Sequence, residues 1–450
     1  MTLQVEVPFG YFDEQDYVAR CLLGEFLGLA YETHRAAAET IRIHDGSGRE
    51  LLIATDLFLR PRDTWLTEAS LPREPIAWGD ALEIPARVLE RRLPVLYGRP
   101  SLARDEQSIR LDVDLFGGCF FYLSRLEEVV KKDRDRHDRF PAACSLSLRY
   151  GLLHRPIVDE YVEVLWACLQ ALWPGLRRRR RTFRQNLTHD VDLLRHSLSR
   201  AVAGNLKRGN FDLAMASLVR SISIKAGRSA DPYDTFDVIM DLSESAGAAS
   251  AFNFITQWTH PIHDFGYVFD RPHTHTLLRS ISARGHEIGL HGSYNSYANG
   301  AQLAREFTTL KRVCSAAGVR QERWGGRQHF LRWRTPETFQ NWQDAGFDYD
   351  STLGYADAAG FRCGTCHQFP AFNIKTGQTL RVIERPLVAM EGTVMGPGYQ
   401  NLGATEAAFA HFKALKDICR YYDGEFTLLW HNNRLVEQPE VDLYRALIAA

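Results

Sequence analysis

Asp190 and Asp192 stand two residues apart at the end of an apolar segment, residues 186–191, that reads as a β-strand. On a strand, side chains two apart project from the same face. Two carboxylates so close resist being ionised together unless a cation lies between them. A divalent metal resolves the conflict: one carboxylate ligates it and the other holds a bound water by a hydrogen bond. His291 closes a second such segment, in which Glu287, Gly289 and His291 share a face. Imidazole with carboxylate is a zinc-type donor set, and an open coordination position leaves room for water.

These residues belong to a wider pattern. From residue 183 onward, short apolar segments alternate with helical ones. Strands are expected at 186–191, 251–255, 286–290, 324–328, 348–350, 379–384 and 426–430. Helices are expected at 193–224, 276–283, 301–317, 338–345 and 405–421. Such alternation implies parallel strands joined by helices. Ionisable groups follow five of the strands: Asp190 and Asp192, His291, the Arg327-Gln328-His329 run, Asp350, and His431. In a parallel barrel, catalytic groups sit at the C-terminal strand ends. One strand-end His or Asp is an ordinary cap or turn residue; five together are hard to explain that way. The fold expected is α/β, a distorted (β/α) barrel of about seven strands. An open doubly wound sheet is the alternative.

Ahead of the barrel, residues 1–176 read as a smaller mixed α/β domain of unknown role, and 177–184 as an Arg-rich linker to a barrel at 185–450. In the first part, 17–27 is helical, and 40–43 and 51–54 form a hairpin about Asp45-Gly46. Residues 114–123 are an apolar stretch broken by Gly117-Gly118. Residues 158–172 are an amphipathic helix with Tyr161, Val164, Leu165, Cys168 and Leu172 on one stripe. The mixed-sign run 131–139 is expected to be exposed. Five consecutive arginines, 177–181, read first as a solvated linker and second as a patch for an anionic substrate or carrier lipid.

Composition narrows the partners. The 450 residues carry a net charge of −1, with 45% hydrophobic and 24% charged residues, which gives no global electrostatic case for nucleic acid. No apolar run is long enough to span a bilayer. The N-terminal residues lack a basic region followed by an apolar stretch, so a cytoplasmic location is expected. The 8 cysteines are scattered, and Cys363 and Cys366 form a CxxC pair with no second pair to complete a zinc ribbon.

The segment 183–435 resembles the polysaccharide deacetylase family of carbohydrate esterases, in a subtype with an extra N-terminal domain. Thr188-His189-Asp190-Val191-Asp192 is similar to the first motif of that family, which implies Asp190 as general base and Asp192 as metal ligand. The run Gly285 to His291 resembles the second motif and implies His291 as a ligand. The family usually places a second histidine four residues on, and here that position is Asn295. Arg327-Gln328-His329-Phe330 is similar to the third motif, whose arginine pairs with the base and in which a proline normally stands at the place of His329. Asp350-Ser351 matches the aspartate that orients the acid histidine, and Leu429-Trp430-His431 matches the motif supplying that histidine. The resemblance implies a divalent metal, zinc by its donor set, and an N-acetylated sugar or glycan as substrate.

Three outcomes stand open at the metal: Asn295 ligates through its amide oxygen, His329 supplies the missing nitrogen, or the metal is lost. His329, Glu384, Trp324 and Trp430 are candidate substrate contacts, with Trp333 and Tyr355 beside them, although aromatic residues near strand ends are more often core. The loop 392–400 either covers substrate or simply connects. Loss of the metal would leave a barrel that binds carbohydrate without catalysis. A glycosidase using Asp190 and Asp192 is disfavoured, because such pairs stand about 5–9.5 Å apart across a ring and neighbours two apart reach only the lower part of that range.

Overall fold

The computed structural model describes residues 1–79, 85–90, 92–195, 215, 231–264 and 266–450. The first part of the chain builds a mixed six-stranded sheet. Its strands are β1 (Leu3–Pro8), β2 (Tyr31–Ala36), β3 (Thr40–His44), β4 (Glu50–Ala54), β7 (Gly98–Arg104) and β8 (Ser108–Val113), in the order β2-β1-β3-β4-β8-β7. A two-stranded piece, β5 (Ile76–Trp78) with β6 (Leu93–Val95), sits beside it. β3 and β4 pair antiparallel across the Asp45-Gly46 turn, where Gly46 has φ +82°. That left-handed conformation is what Asp-Gly supplies without strain.

The apolar stretch after Asp114 is a helix, Leu115–Leu123, with Asp114 capping it through Gly117 N–H at 2.7 Å. Gly117 and Gly118 do not break it; they let it dock. A Cβ on Gly118 would lie 2.4 Å from the Tyr161 ring of the helix Ile157–Leu172. The expected helix at 17–27 begins earlier, as Phe12–Ala19, and runs on as a π-helical turn, Arg20–Phe26.

The second part holds a parallel six-stranded sheet, β12-β11-β10-β9-β17-β16, formed by β9 (Arg184–Val191), β10 (Ser250–Phe254), β11 (Glu287–Gly292), β12 (Gly326–Gln328), β16 (Ala389–Met390) and β17 (Glu425–Leu429). Helices Phe236–Ser245, Pro272–Ala283, Gly300–Ala316 and Glu406–Tyr421 occupy the crossovers. The sheet does not close into one ring of seven strands. The strand expected at 348–350 is β13 (Tyr349–Asp350). It pairs with β15 (Gln378–Glu384), which turns back antiparallel onto β14 (Phe369–Asn373) in a separate three-stranded sheet. The arrangement is thus a half-barrel with a side sheet. The long helix expected at 193–224 lies, beyond residue 195 and apart from Met215, outside the described residues.

No break in packing separates the two parts. One apolar core cluster runs from Leu3 to Ile448. Glu128 of the first part accepts from Arg362 of the second at 2.7 Å and ion-pairs Arg125 at 2.9 Å, with all three side chains at most 2% exposed. Breaking such a buried charge set by removing one partner costs roughly 3–5 kcal/mol, because it strands the remaining charges. Tyr17 donates to the Pro370 carbonyl at 2.9 Å. The run 131–139, expected to be exposed, is instead pressed against the second part: Arg332 donates to the His137 carbonyl at 2.7 Å, and Arg139 to the Phe330 carbonyl at 3.0 Å. Among the described residues no helix is long and apolar enough to cross a membrane.

Candidate metal centre

β9 delivers Asp190 and Asp192 to the C-terminal end of the parallel sheet. Asp190 is buried and held by two donors: Asn253 of β10 at 2.8 Å and Arg327 of β12 at 3.1 Å. Arg327 is itself fixed by the Ser351 carbonyl at 2.7 Å and the Thr188 hydroxyl at 2.9 Å. Gly289 makes this possible. A Cβ there would lie 2.1 Å from the Asn253 amide oxygen and would displace the side chain that grips Asp190. Burial alone would raise the Asp190 pKa, but His291, Arg327 and His431 outweigh it and hold the carboxyl below its usual range.

Asp192 faces three imidazoles. Its Oδ1 lies 3.4 Å from Nε2 of His291 and 3.4 Å from Nε2 of His329, and its Oδ2 lies 3.8 Å from Nε2 of His431. Oδ1 is buried with no hydrogen-bond partner assigned to it. Both flanking rings are oriented from behind. Nδ1 of His291 meets the Arg327 carbonyl at 3.0 Å, and Nδ1 of His329 meets Asp264 at 3.0 Å. Fixing Nδ1 leaves Nε2 to present a lone pair, which is how metal-binding histidines are held. One donor atom each from Asp192, His291 and His329 lies within 4.8 Å of the others. An orphaned carboxylate oxygen between two oriented imidazoles fits a divalent cation. Burial would lower the His329 pKa, yet Asp192 and then Asp264 raise it to about 9, so a cation bound there would displace a proton from Nε2.

Asn295 is not part of this group. It is exposed, donates to the Thr259 carbonyl at 3.0 Å and accepts from Arg332 at 3.1 Å. The chain after β11 turns there into a short 3-10 segment, Ser296–Ala298. His329, expected as a substrate contact or as the missing nitrogen, stands in the donor group.

His431 enters from the other side. Its Nδ1 lies 2.6 Å from Glu391, and this contact with Asp192 and Asp190 outweighs burial to raise its pKa to about 10. The carboxylate in contact with His431 Nδ1 is therefore Glu391. Asp350 does not reach His431; its Oδ1 accepts from the Thr352 N–H at 3.1 Å, and it faces Glu384 across the β13–β15 pair. Glu384 is buried away from the cavity, accepting from Leu353 N–H at 3.1 Å. Burial, and then Asp350, raise its pKa well above the carboxylate range, and burial pushes Asp350 up to about 7. The folded chain thus holds protons that the unfolded chain releases, so stability declines as pH rises from about 4.3 toward the folded values. Glu384→Gln removes one of these titrations while keeping the shape. Thermal melts from pH 5 to 8 are expected to fall less steeply in the variant, and a steeper fall would contradict this reading.

Trp333 and Trp430 are core residues, and Trp324 is half-buried against the core. Trp430 alternates away from Leu429, which lines the cavity, and packs on Phe412 and Tyr444 with ring centroids 5.8 and 5.2 Å away. Trp324 precedes β12, at the strand's opposite end, against Phe307. Trp333 packs on Phe339, and Tyr355 joins a small buried cluster with Phe140.

The cavity over the donors is about 150 Å³ and is lined by Arg139, Asp190, Asp192, His291, His329, Phe330, Leu331, Met390, Tyr399, Leu429 and His431. At roughly 30 Å³ per water, that is on the order of five waters, enough for an acyl group and part of a ring. The stretch 392–400, expected to be a loop, begins within a short helix, Glu391–Met395, and contributes Tyr399, whose hydroxyl accepts from Arg139 at 3.2 Å. Phe330 and Leu331 have φ of +62° and +55°. Consecutive left-handed conformations without glycine cost roughly 1–3 kcal/mol each and persist where surroundings enforce them; the bond from Arg139 to the Phe330 carbonyl is one such constraint.

A second group of possible donors, Asp159, Cys366 and His367, is buried between the two parts of the chain. Its carboxylate is already committed to Thr365 at 2.6 Å, Cys366 N–H at 2.9 Å and Cys366 Sγ at 3.1 Å. With no orphaned oxygen, it reads as a structural lock.

Residues 3–174 match a family of unknown function, DUF7033. No curated protein matches the chain. Among solved structures, a protein of Mycobacterium smegmatis assigned as a polysaccharide deacetylase is 17% identical with a TM-score of 0.40, covering 60% of this chain and 83% of its own. PuuE allantoinase is 15% identical with a TM-score of 0.37, covering 61% and 85%. The polysaccharide deacetylase Bc1974 from Bacillus cereus is 11% identical with a TM-score of 0.28, covering 60% and 86%. Likenesses at this level leave the site to be read from its own geometry.

Proposed function

We propose that the chain is a metal-dependent hydrolase that removes an N-acetyl group from a sugar or glycan, with 1–176 as an N-terminal domain, 177–184 as a linker and 185–450 as the catalytic barrel. The observation that carries this reading is the convergence of Asp192, His291 and His329, with Asp190 on one side and His431 on the other. Asp192, His291 and His329 would hold the cation, zinc by their chemistry. A divalent cation held there would polarise the acyl oxygen and acidify water.

The remaining chemistry belongs to the chain. Asp190, kept ionised by Arg327 and Asn253, accepts the proton of the attacking water. The water oxygen adds to the acyl carbon, and the carbon–nitrogen bond breaks. His431 gives its proton to the departing nitrogen, so acetate and a free amine result. Arg327 positions the base and Glu391 positions the acid. The substrate class, an N-acetylated sugar or glycan, follows from the sequence resemblance, and a panel of such sugars and glycans assayed for acetate release with zinc-supplied protein tests it. Release from none of them, with metal bound, would contradict the reading. The non-catalytic alternative draws its force from Asn295; the closeness of His329 to Asp192 and His291 supports the catalytic reading over it.

Glu391→Gln tests the acid. With the carboxylate gone, His431 loses the partner that raises its pKa. Turnover is expected to fall about 10–100-fold, as for other groups that orient a reacting residue, with metal content unchanged. Because His431 must be protonated to act, the alkaline fall in activity is expected to begin at lower pH. An unshifted alkaline limb would remove Glu391 from the mechanism.

A further inference from the structure

The five-arginine run is not spread along an open linker. Arg179, Arg180 and Arg181 line one cavity of about 400 Å³ together with Arg184 and Arg323. Three carboxylates share its wall, and each is engaged elsewhere: Glu25 pairs with Arg20 at 3.6 Å, Asp423 with Arg87 at 2.8 Å, and Glu425 accepts from Asn186 at 2.8 Å. None of the five cavity arginines makes an ion pair among the described residues. Arg179 and Arg181 donate only to the neutral carbonyl of Glu25. Arg180, Arg184 and Arg323 are exposed and have no side-chain hydrogen bond among the described residues. Burial, with Arg179 beside it, lowers the Arg181 pKa against the opposing pull of Asp159 and Glu425.

We propose that this cavity is a binding site for a phosphate-bearing ligand with more than one negative charge. Guanidinium forks match phosphate oxygens in pairs, and several converging forks favour a multiply charged group over a single carboxylate. The site is separate from the metal centre. Arg184 opens β9 and Asp190 lies near its end, six residues on, which at ~3.3 Å per residue places them about 20 Å apart. The inference therefore does not depend on the proposed hydrolase activity. A soluble phosphate-bearing molecule and a lipid headgroup present the same chemistry to these arginines.

The test uses the full-length chain with inorganic pyrophosphate in calorimetry at fixed ionic strength. A second arm uses cosedimentation with phosphatidylcholine vesicles, with and without phosphatidic acid. The variant is Arg180→Gln/Arg184→Gln/Arg323→Gln, three exposed positions. A control, Arg305→Gln/Arg312→Gln/Arg445→Gln, removes equal charge from exposed positions elsewhere. Binding of pyrophosphate in solution supports a soluble ligand, and binding only to the phosphatidic acid vesicles supports a headgroup. In either case the cavity variant is expected to bind at least about tenfold more weakly through loss of its charge-assisted bonds, while the control and the melting temperature of both stay near wild type. Wild-type protein that binds neither probe, or equal losses in the cavity variant and the control, would overturn the proposal.

Discussion

Asp190→Asn is expected to retain its metal and to lose acetate release by about 10³–10⁴-fold, near the upper range for removing a general base. The substitution keeps shape and keeps an oxygen for the Arg327 and Asn253 donors at 3.1 and 2.8 Å. The amide cannot take a proton from water at neutral pH. Asp190 is not in the group of three converging donors, so zinc content is expected to stay near that of wild type. Metal analysis beside the acetate assay separates the two effects. Wild-type turnover in the variant would remove Asp190 as the base, and loss of metal would move it into the ligand set.

His329→Ala is expected to weaken metal binding by more than ~100-fold, since even the loss of an outer-shell partner costs 10–100-fold. Activity is expected to fall with it. Asn295→Ala is expected to leave both nearly unchanged, because the exposed Asn295 side chain is engaged by Thr259 and Arg332. This pair discriminates between the two ways of completing the site. Metal retained by His329→Ala and lost by Asn295→Ala would require a different arrangement of the chain after β11.

The sequence carried much of this site because strands carry it. Period-two alternation puts Asp190 and Asp192 on one face and brings His291 to the end of β11, and apolar runs marked five of the six parallel strands to within a few residues, the two-residue β16 being missed. Legibility failed where the chain leaves regular structure. Asn295 sits at the expected distance from His291 along the chain, but a tight turn redirects it. Glu391 begins a short helix after β16, Asp264 lies in a loop that binds Thr259 and His260 through their N–H groups at 2.7 and 2.8 Å, and Arg139 arrives from the N-terminal part. None of the three has a periodic neighbourhood, and each reaches the site only through tertiary packing. His329 carried a signal, as an ionisable residue after a strand, yet sequence left its role divided between ligand and substrate contact. The two-residue β13 was legible as a strand, while its departure into a side sheet was not, because the antiparallel β14 that captures β15 has no distinctive pattern. Trp324 and Trp430 illustrate the reverse error: aromatic residues at strand ends whose faces turn to the helices.

The central claim is that Asp192, His291 and His329 hold one divalent cation. Anomalous diffraction at the zinc edge, from crystals of zinc-supplied protein, tests it most directly. We expect one peak about 2.0–2.2 Å from a carboxylate oxygen of Asp192 and from Nε2 of His291 and His329. No peak at that point, or a peak whose ligands exclude His329, would contradict it.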